Sequence, residues 1–204
     1  DQFGTQHVRV CKKKWMDFCT KRVLACVTFV VSGVVLNSIF PTIFANARVQ
    51  DLPRREWLEV WEKVFAVNTT AVGILCKEFV DHALTQGNGR IVMISSRAAF
   101  RGDTPDYMAY AASKGALVSL MRSIARHYGK EGIKAFLIAP GFTRTDMSAE
   151  ILAQYGEDFA LRDIALSELT RPEDLAPMVT LLCSGLADHA TGTSIDMNAG
   201  SYVR

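Results

Sequence analysis

The sequence predicts an α/β domain built on a mainly parallel, doubly wound sheet, and three observations predict it. From about residue 53 onward, helical and strand-like segments alternate, which demands crossover connections and hence parallel strands with helices on both faces. The strand-like segments are short continuous apolar runs, the pattern of strands buried on both sides. A chain of 204 residues with 49% apolar and 22% charged side chains supports one domain with a sizeable core and excludes wholesale disorder.

The first element is the least regular. Residues Val23 to Ala45 carry no charged side chain and follow Lys12, Lys13, Lys14, Lys21 and Arg22. This basic-then-apolar order, running into Ala45-Asn46-Ala47, has the form of a signal peptide or a membrane anchor. Asn37, Ser38, Pro41 and Thr42 interrupt it, and its β-branched residues suit buried strands, so the preferred expectation is one or two strands, Cys26 to Leu36 and Ile39 to Ala45. A misread or rearranged segment replacing a normal domain start is a third reading. The chain is divided into an atypical segment, 1–41, and an α/β region, 42–204, within a single domain.

Next, Trp57, Val60, Trp61, Val64 and Val67 recur at three and four residues, and the spacing continues after Asn68 through Val72, Leu75, Phe79 and Leu84. That is one long helix, stopped by Gly87-Asn88-Gly89. Arg90 to Ile94 is a buried strand ending at Ser95-Ser96. Asp106 to Tyr128 is a second long helix with Ala111, Leu117, Leu120, Met121, Ile124 and Ala125 on its packing face, closed by Gly129 and Gly132. Ile133 to Ala139 is another strand, cut by Pro140-Gly141. Pro172 to Gly185 is a helix with proline in its first turn, and Thr193 to Met197 is a last strand. In such sheets ligands bind beyond the carboxyl ends of the strands.

Charge and cysteine usage narrow the function. The net charge is only +2, with seven basic and two acidic side chains in residues 1–48, so no global field is directed at nucleic acid. Five cysteines, Cys11, Cys19, Cys26, Cys76 and Cys183, form no CxxC pair and are expected as reduced thiols. The four histidines have no HExxH spacing, and no metal site is expected.

Tyr110 and Lys114 lie four apart on a helix and so leave from one face, about 5–6 Å apart at Cβ. A neighbouring ammonium favours the phenolate and brings the tyrosine toward a range useful for proton transfer. Ser96, at the carboxyl end of a strand, could hydrogen-bond a carbonyl oxygen that Tyr110 protonates. Asn68 stands in mid-helix, where its amide can interrupt the ladder and hold a water, although an exposed structural asparagine is the plainer reading.

Asn68 in VFAVNTT, Ser96 in IVMISS, Tyr110 and Lys114 in YAASK, and Pro140-Gly141 in APGFTRTDM together resemble the classical short-chain dehydrogenase/reductases of the 3-oxoacyl-reductase kind. The tail RPEDLAPMVTLLCSGLADHATGTSIDMNAG resembles that family's closing helix and strand, so the likeness covers roughly residues 42 to 200. It implies a Rossmann-like fold and an NAD- or NADP-dependent interconversion of a secondary alcohol and a ketone. In that reading Tyr110 is the general acid/base, Lys114 its activator and a ribose ligand, Ser96 the partner of the substrate oxygen, and Asn68 part of a proton relay through water. Tyr110, Lys114, Pro140, Gly141, Thr143 and Thr145 hold the cofactor. Phe142 borders the nicotinamide or simply packs in the core. Asp146 to Thr170 form a mobile substrate lid offering Met147, Tyr155 and Phe159. The likeness further implies a cytoplasmic homodimer or homotetramer acting on a small alcohol or ketone, apart from nucleic acid and membrane.

The sequence departs from the family at one end. The TGxxxGxG turn that carries the cofactor pyrophosphate at a helix amino terminus is absent from these residues, leaving the amino-terminal half of the fold incomplete. Residues 42–48, TIFANAR, resemble the family's NNAG strand end, with Asn46 as a cofactor contact but Arg48 in place of glycine. The charge that separates NAD from NADP belongs to the same half. The alternative function is a catalytically inactive member that acts only by association.

Overall fold

The computed structural model describes residues 28–30, 34–37 and 51–204. One sheet in the order β1-β2-β3-β4-β5 joins β1 (Thr28–Val30), β2 (Val34–Asn37), β3 (Gly89–Ile94), β4 (Ile133–Pro140) and β5 (Ser194–Met197). Pairing is parallel from β2 to β5, and β1 returns antiparallel along the outer edge of β2. This is the mainly parallel α/β sheet the sequence predicts.

The amino-terminal expectation is corrected in one respect. Cys26 to Leu36 does not run as a single strand: Val34–Asn37 pairs with β3 and Thr28–Val30 doubles back on it. A single strand over that stretch would outrun the six-residue β3 beside it. The expected strand Ile39 to Ala45 and Asn46 lie outside the described residues.

The helices are α1 (Arg54–Phe65), α2 (Ala71–Gln86), α3 (Ala98–Arg101), α4 (Met108–Tyr128), α5 (Asp146–Tyr155), α6 (Glu157–Leu161) and α7 (Pro172–Cys183). Strand residues sort onto two covered faces with the two-residue period of extended chain. Ile91, Met93, Ala135, Leu137 and Ala139 pack under α2 and α4, whereas Val92, Phe136 and Ile138 pack toward α7.

The helix expected from Trp57 to Leu84 is continuous, but a π-helical turn, Ala66–Thr70, joins α1 to α2. A π turn takes one residue more than an α turn, so the apolar phase slips across it. Val72, Cys76, Phe79, Val80 and Ala83 turn inward as a result. Leu84, expected on the packing face, is exposed. Beyond Gly87, which adopts the left-handed conformation at φ 64°, the chain enters β3.

The start of β3 and the start of β4 approach closely. Gly132 has φ +87°, and a Cβ built there would stand 2.1 Å from the Gly87 carbonyl oxygen, while Gly89 N–H donates to the Gly132 carbonyl at 3.2 Å. Gly132→Ala combines a disfavoured φ with a backbone collision and is expected to destabilise the fold by roughly 3 kcal/mol. Urea denaturation checks it, and a loss below about 1 kcal/mol would show that this junction relaxes freely. At the same end, Arg90 Nε and Nη2 donate to the two carboxylate oxygens of Asp188, each at 2.7 Å, locking β3 to the connection before β5.

Candidate active site

The carboxyl ends of β3 and β4 carry the residues singled out by sequence. β3 delivers Ser95 and Ser96, and α4 runs back alongside with Tyr110 and Lys114. Ser95 Oγ donates to the Lys114 carbonyl at 2.9 Å, fastening the strand end to the helix at that residue. Lys114 Nζ crosses to the same strand and donates to the Ile94 carbonyl at 3.3 Å. It stands 5.9 Å from the centre of the Tyr110 ring, as the four-residue spacing requires.

Lys114 is buried, and removal of its ammonium from water pushes its pKa down to about 8. The ammonium has three N–H groups; one is directed at Ile94, so donors remain for a bound hydroxyl. Ser96 is nearly buried, and its Oγ accepts the Ala98 N–H at 3.2 Å. That contact uses a lone pair and leaves the hydroxyl proton available for a substrate oxygen.

Asn68 occupies the middle of the π turn and is 2% exposed, so it is not the exposed asparagine of the plainer reading. Its Nδ2 donates to Ser113 Oγ at 3.1 Å, and Ser113 Oγ donates in turn to the Tyr110 carbonyl at 2.7 Å. Thr69 Oγ1 donates to the Ser113 carbonyl at 3.1 Å. The π turn and α4 are thereby stitched together at Tyr110. Asn68 Oδ1 is buried with no hydrogen-bond partner, an acceptor whose burial is unfavourable unless a polar group fills the space beside it.

The segment after β4 closes the site. Arg97 N–H donates to the Pro140 carbonyl at 2.9 Å, bringing the residue after Ser96 against the start of Pro140 to Thr145. Gly141 is pressed on Asn198: a Cβ built on it would lie 2.8 Å from the Asn198 Cα. Phe142 is half-buried. Thr143 Oγ1 donates to the Gly141 carbonyl at 3.2 Å and Thr143 bridges to Thr170. Thr145 begins α5, its N–H donating to Ser148 Oγ at 2.9 Å. Of the aromatic residues expected on a lid, Tyr155 and Phe159 pair with ring centres 5.1 Å apart, and both are exposed.

Asn68, Ser96, Tyr110 and Lys114 are therefore gathered at one end of the sheet, with Pro140 and Gly141 beside them. Asn46 lies outside the described residues. Sequence reasoning missed Ser113, Ser95 and Arg97. Ser113 could have been found as the hydroxyl one turn beyond Tyr110, placed to back-bond within the helix. Among the described residues no three His, Cys, Asp or Glu side chains are grouped to hold a metal ion, and no helix is long and apolar enough to cross a membrane.

The family model described as enoyl-(acyl carrier protein) reductase matches residues 34–201. The 3-oxoacyl-[acyl-carrier-protein] reductase of Aquifex aeolicus is 32% identical over 142 residues, 70% of this chain and 56% of that protein. Human dehydrogenase/reductase SDR family member 4 is 30% identical over 179 residues, 87% of this chain and 60% of that protein. The structure of 4-hydroxyisoleucine dehydrogenase complexed with NADH has a TM-score of 0.75 at 26% identity, covering 84% of this chain and 69% of that one. The chain spans about half the length of the curated relatives it matches.

Proposed function

Given that the chain belongs to the short-chain dehydrogenase/reductase family, whose members are NAD(P)-dependent oxidoreductases, we propose that it interconverts a secondary alcohol and a ketone. The observation that carries this is the convergence of Tyr110, Lys114, Ser96 and buried Asn68 at the carboxyl ends of β3 and β4. Tyr110 Oη gives its proton to the carbonyl oxygen in reduction and takes it back in oxidation. Ser96 Oγ donates a hydrogen bond to the same oxygen and holds it in place. The Lys114 ammonium favours the phenolate of Tyr110 and offers its remaining N–H groups to the ribose of the cofactor.

The residues present fit that group. Buried Lys114 has donors in hand beyond its one bond to Ile94, and the partnerless Asn68 Oδ1 suits a relay water that returns protons from solvent. NAD or NADP would supply hydride transfer, held by Tyr110, Lys114, Pro140, Gly141, Thr143 and Thr145, with Asn46 as a further contact.

A second reading is a member that keeps the fold and acts only by association. It is favoured by Arg48 and Ala45, which stand where the family pattern has glycine and asparagine. Titration of the purified chain with NADH and with NADPH separates the two, read by calorimetry and by energy transfer from Trp57 and Trp61, whose rings lie tilted 5.0 Å apart on α1. Saturable binding is expected. No binding of either nucleotide would replace the enzyme reading with the second one.

A further inference from the structure

Arg97 precedes α3 immediately after Ser96 and Arg101 is its last residue, and at four-residue spacing they share a face. Both meet the same atom: Arg97 Nη1 lies 2.7 Å and Arg101 Nη1 3.1 Å from Oδ2 of Asp163. Two guanidinium groups thus converge on one carboxylate. Asp103 adds a longer-range attraction to Arg97, but it forms no ion pair with it, and its Oδ1 accepts the Thr104 N–H.

Arg97 is the unusual member. Its side chain is 12% exposed, and burial, followed by repulsion from Arg101, lowers its pKa. Nη1 is buried, and the one carboxylate paired with it among the described residues is that of Asp163, 2.7 Å away. A guanidinium stays charged in a protein and offers five donors in a planar fork. A buried one that shares a single carboxylate with a second cation is a poor device for stability alone, since desolvation offsets much of its attraction to that partner.

The carboxylate is the dispensable part of the cluster. Asp163 lies after α6, and 47% of its side chain faces solvent, so it can leave the pair at little desolvation cost. The Arg97 backbone by contrast is fixed by its amide N–H bond to the Pro140 carbonyl, and its side chain is 12% exposed. Arg97 follows Ser96 directly in the chain, so the pair of arginines is carried by the segment that leaves the carboxyl end of β3.

We propose that Arg97 and Arg101 form an anion subsite for a carboxylate carried by the substrate, which displaces Asp163. The substrate class is accordingly an oxo acid and its hydroxy acid. This rests on the reading that Ser96 and Tyr110 receive the carbonyl. A carboxylate, rather than a phosphoryl group, is the ligand because a carboxylate already bridges the pair. Asp163 then has two roles: it keeps the cations paired in the empty site and sets a threshold that a neutral ketone cannot cross.

The experiment is calorimetric titration of the full chain with pyruvate, 3-oxobutanoate and 4-oxopentanoate, each against its methyl ester, and with inorganic phosphate. At least one acid is expected to bind about 30-fold tighter than its ester and than phosphate, and Arg101→Met and Arg97→Met each to remove about that factor. Asp163→Asn is expected to tighten the acid severalfold. Because Arg97→Met disturbs a buried position, Arg101→Met and Asp163→Asn keep the test decisive if that variant does not fold. Acids binding no better than esters, phosphate binding best, or indifference to Arg101→Met and Asp163→Asn would overturn the subsite. Tyr110→Phe is expected to retain acid binding, so an inactive chain that still selects the acid through Arg101 loses the catalytic reading and keeps the subsite.

Discussion

Tyr110→Phe is expected to lower kcat about 10³-fold, with NADH affinity changed by no more than a few-fold. The substitution removes one oxygen and keeps the ring against which Lys114 Nζ stands, 5.9 Å from its centre. General acid/base catalysis by a positioned side chain contributes about 10²–10⁴-fold, and no other group in the cluster can replace it. Ser96 Oγ is poor as an acid at neutral pH, and Lys114 is held toward Ile94. Single-turnover kinetics with saturating NADH measure the effect. Retention of more than about a tenth of wild-type turnover would remove Tyr110 from the proton-transfer step.

The second large effect runs in opposite directions for stability and activity. Lys114→Met is expected to stabilise the cofactor-free chain by about 2 kcal/mol at pH 7 while abolishing turnover. Burial holds the Lys114 pKa at about 8 instead of the usual 10.5, so folding at neutral pH carries the cost of an ammonium in an apolar setting. A shift of that size corresponds to about 3 kcal/mol, and loss of the bond to Ile94 gives back about 1 kcal/mol. Because the folded value is depressed, between pH 8 and 10.5 the unfolded chain holds a proton that the folded chain has released. The wild-type chain therefore gains stability as pH rises through that window, and the variant lacks this gain. Urea denaturation of both proteins at pH 7 and pH 10 reads the difference. A variant less stable than wild type at pH 7 would show that the ammonium is better satisfied than its burial suggests. If the prediction holds, the site retains a destabilising charge for its chemistry.

Much of this was written locally in the sequence. Ile91, Met93, Leu137 and Ile138 are continuous apolar runs because their strands are covered on both faces, so composition alone marks them as central. Tyr110 and Lys114 share a helix, and their mutual position follows from the helical repeat with no knowledge of the rest of the chain. The same is true of Gly87, whose left-handed conformation only glycine adopts freely. Local pattern therefore fixed the sheet's interior, the long helices and the core of the candidate site.

What depended on contacts between distant segments was not written there. The π turn at Ala66–Thr70 leaves no periodic signature until its phase slip is seen, so Leu84 reads as core and Ala83 does not. Asn68 reads as a surface residue because its partner, Ser113, is 45 positions away. Nothing in the sequence pairs Arg97 and Arg101 with Asp163, and only the return of the chain after α6 brings them together. The division of the amino-terminal stretch into β1 and β2 likewise depended on the length of β3, against which β2 must pair. Periodicity and motif spacing report on neighbours within a few residues. Which cation stays in water and which is buried beside a serine is decided by where the chain comes back.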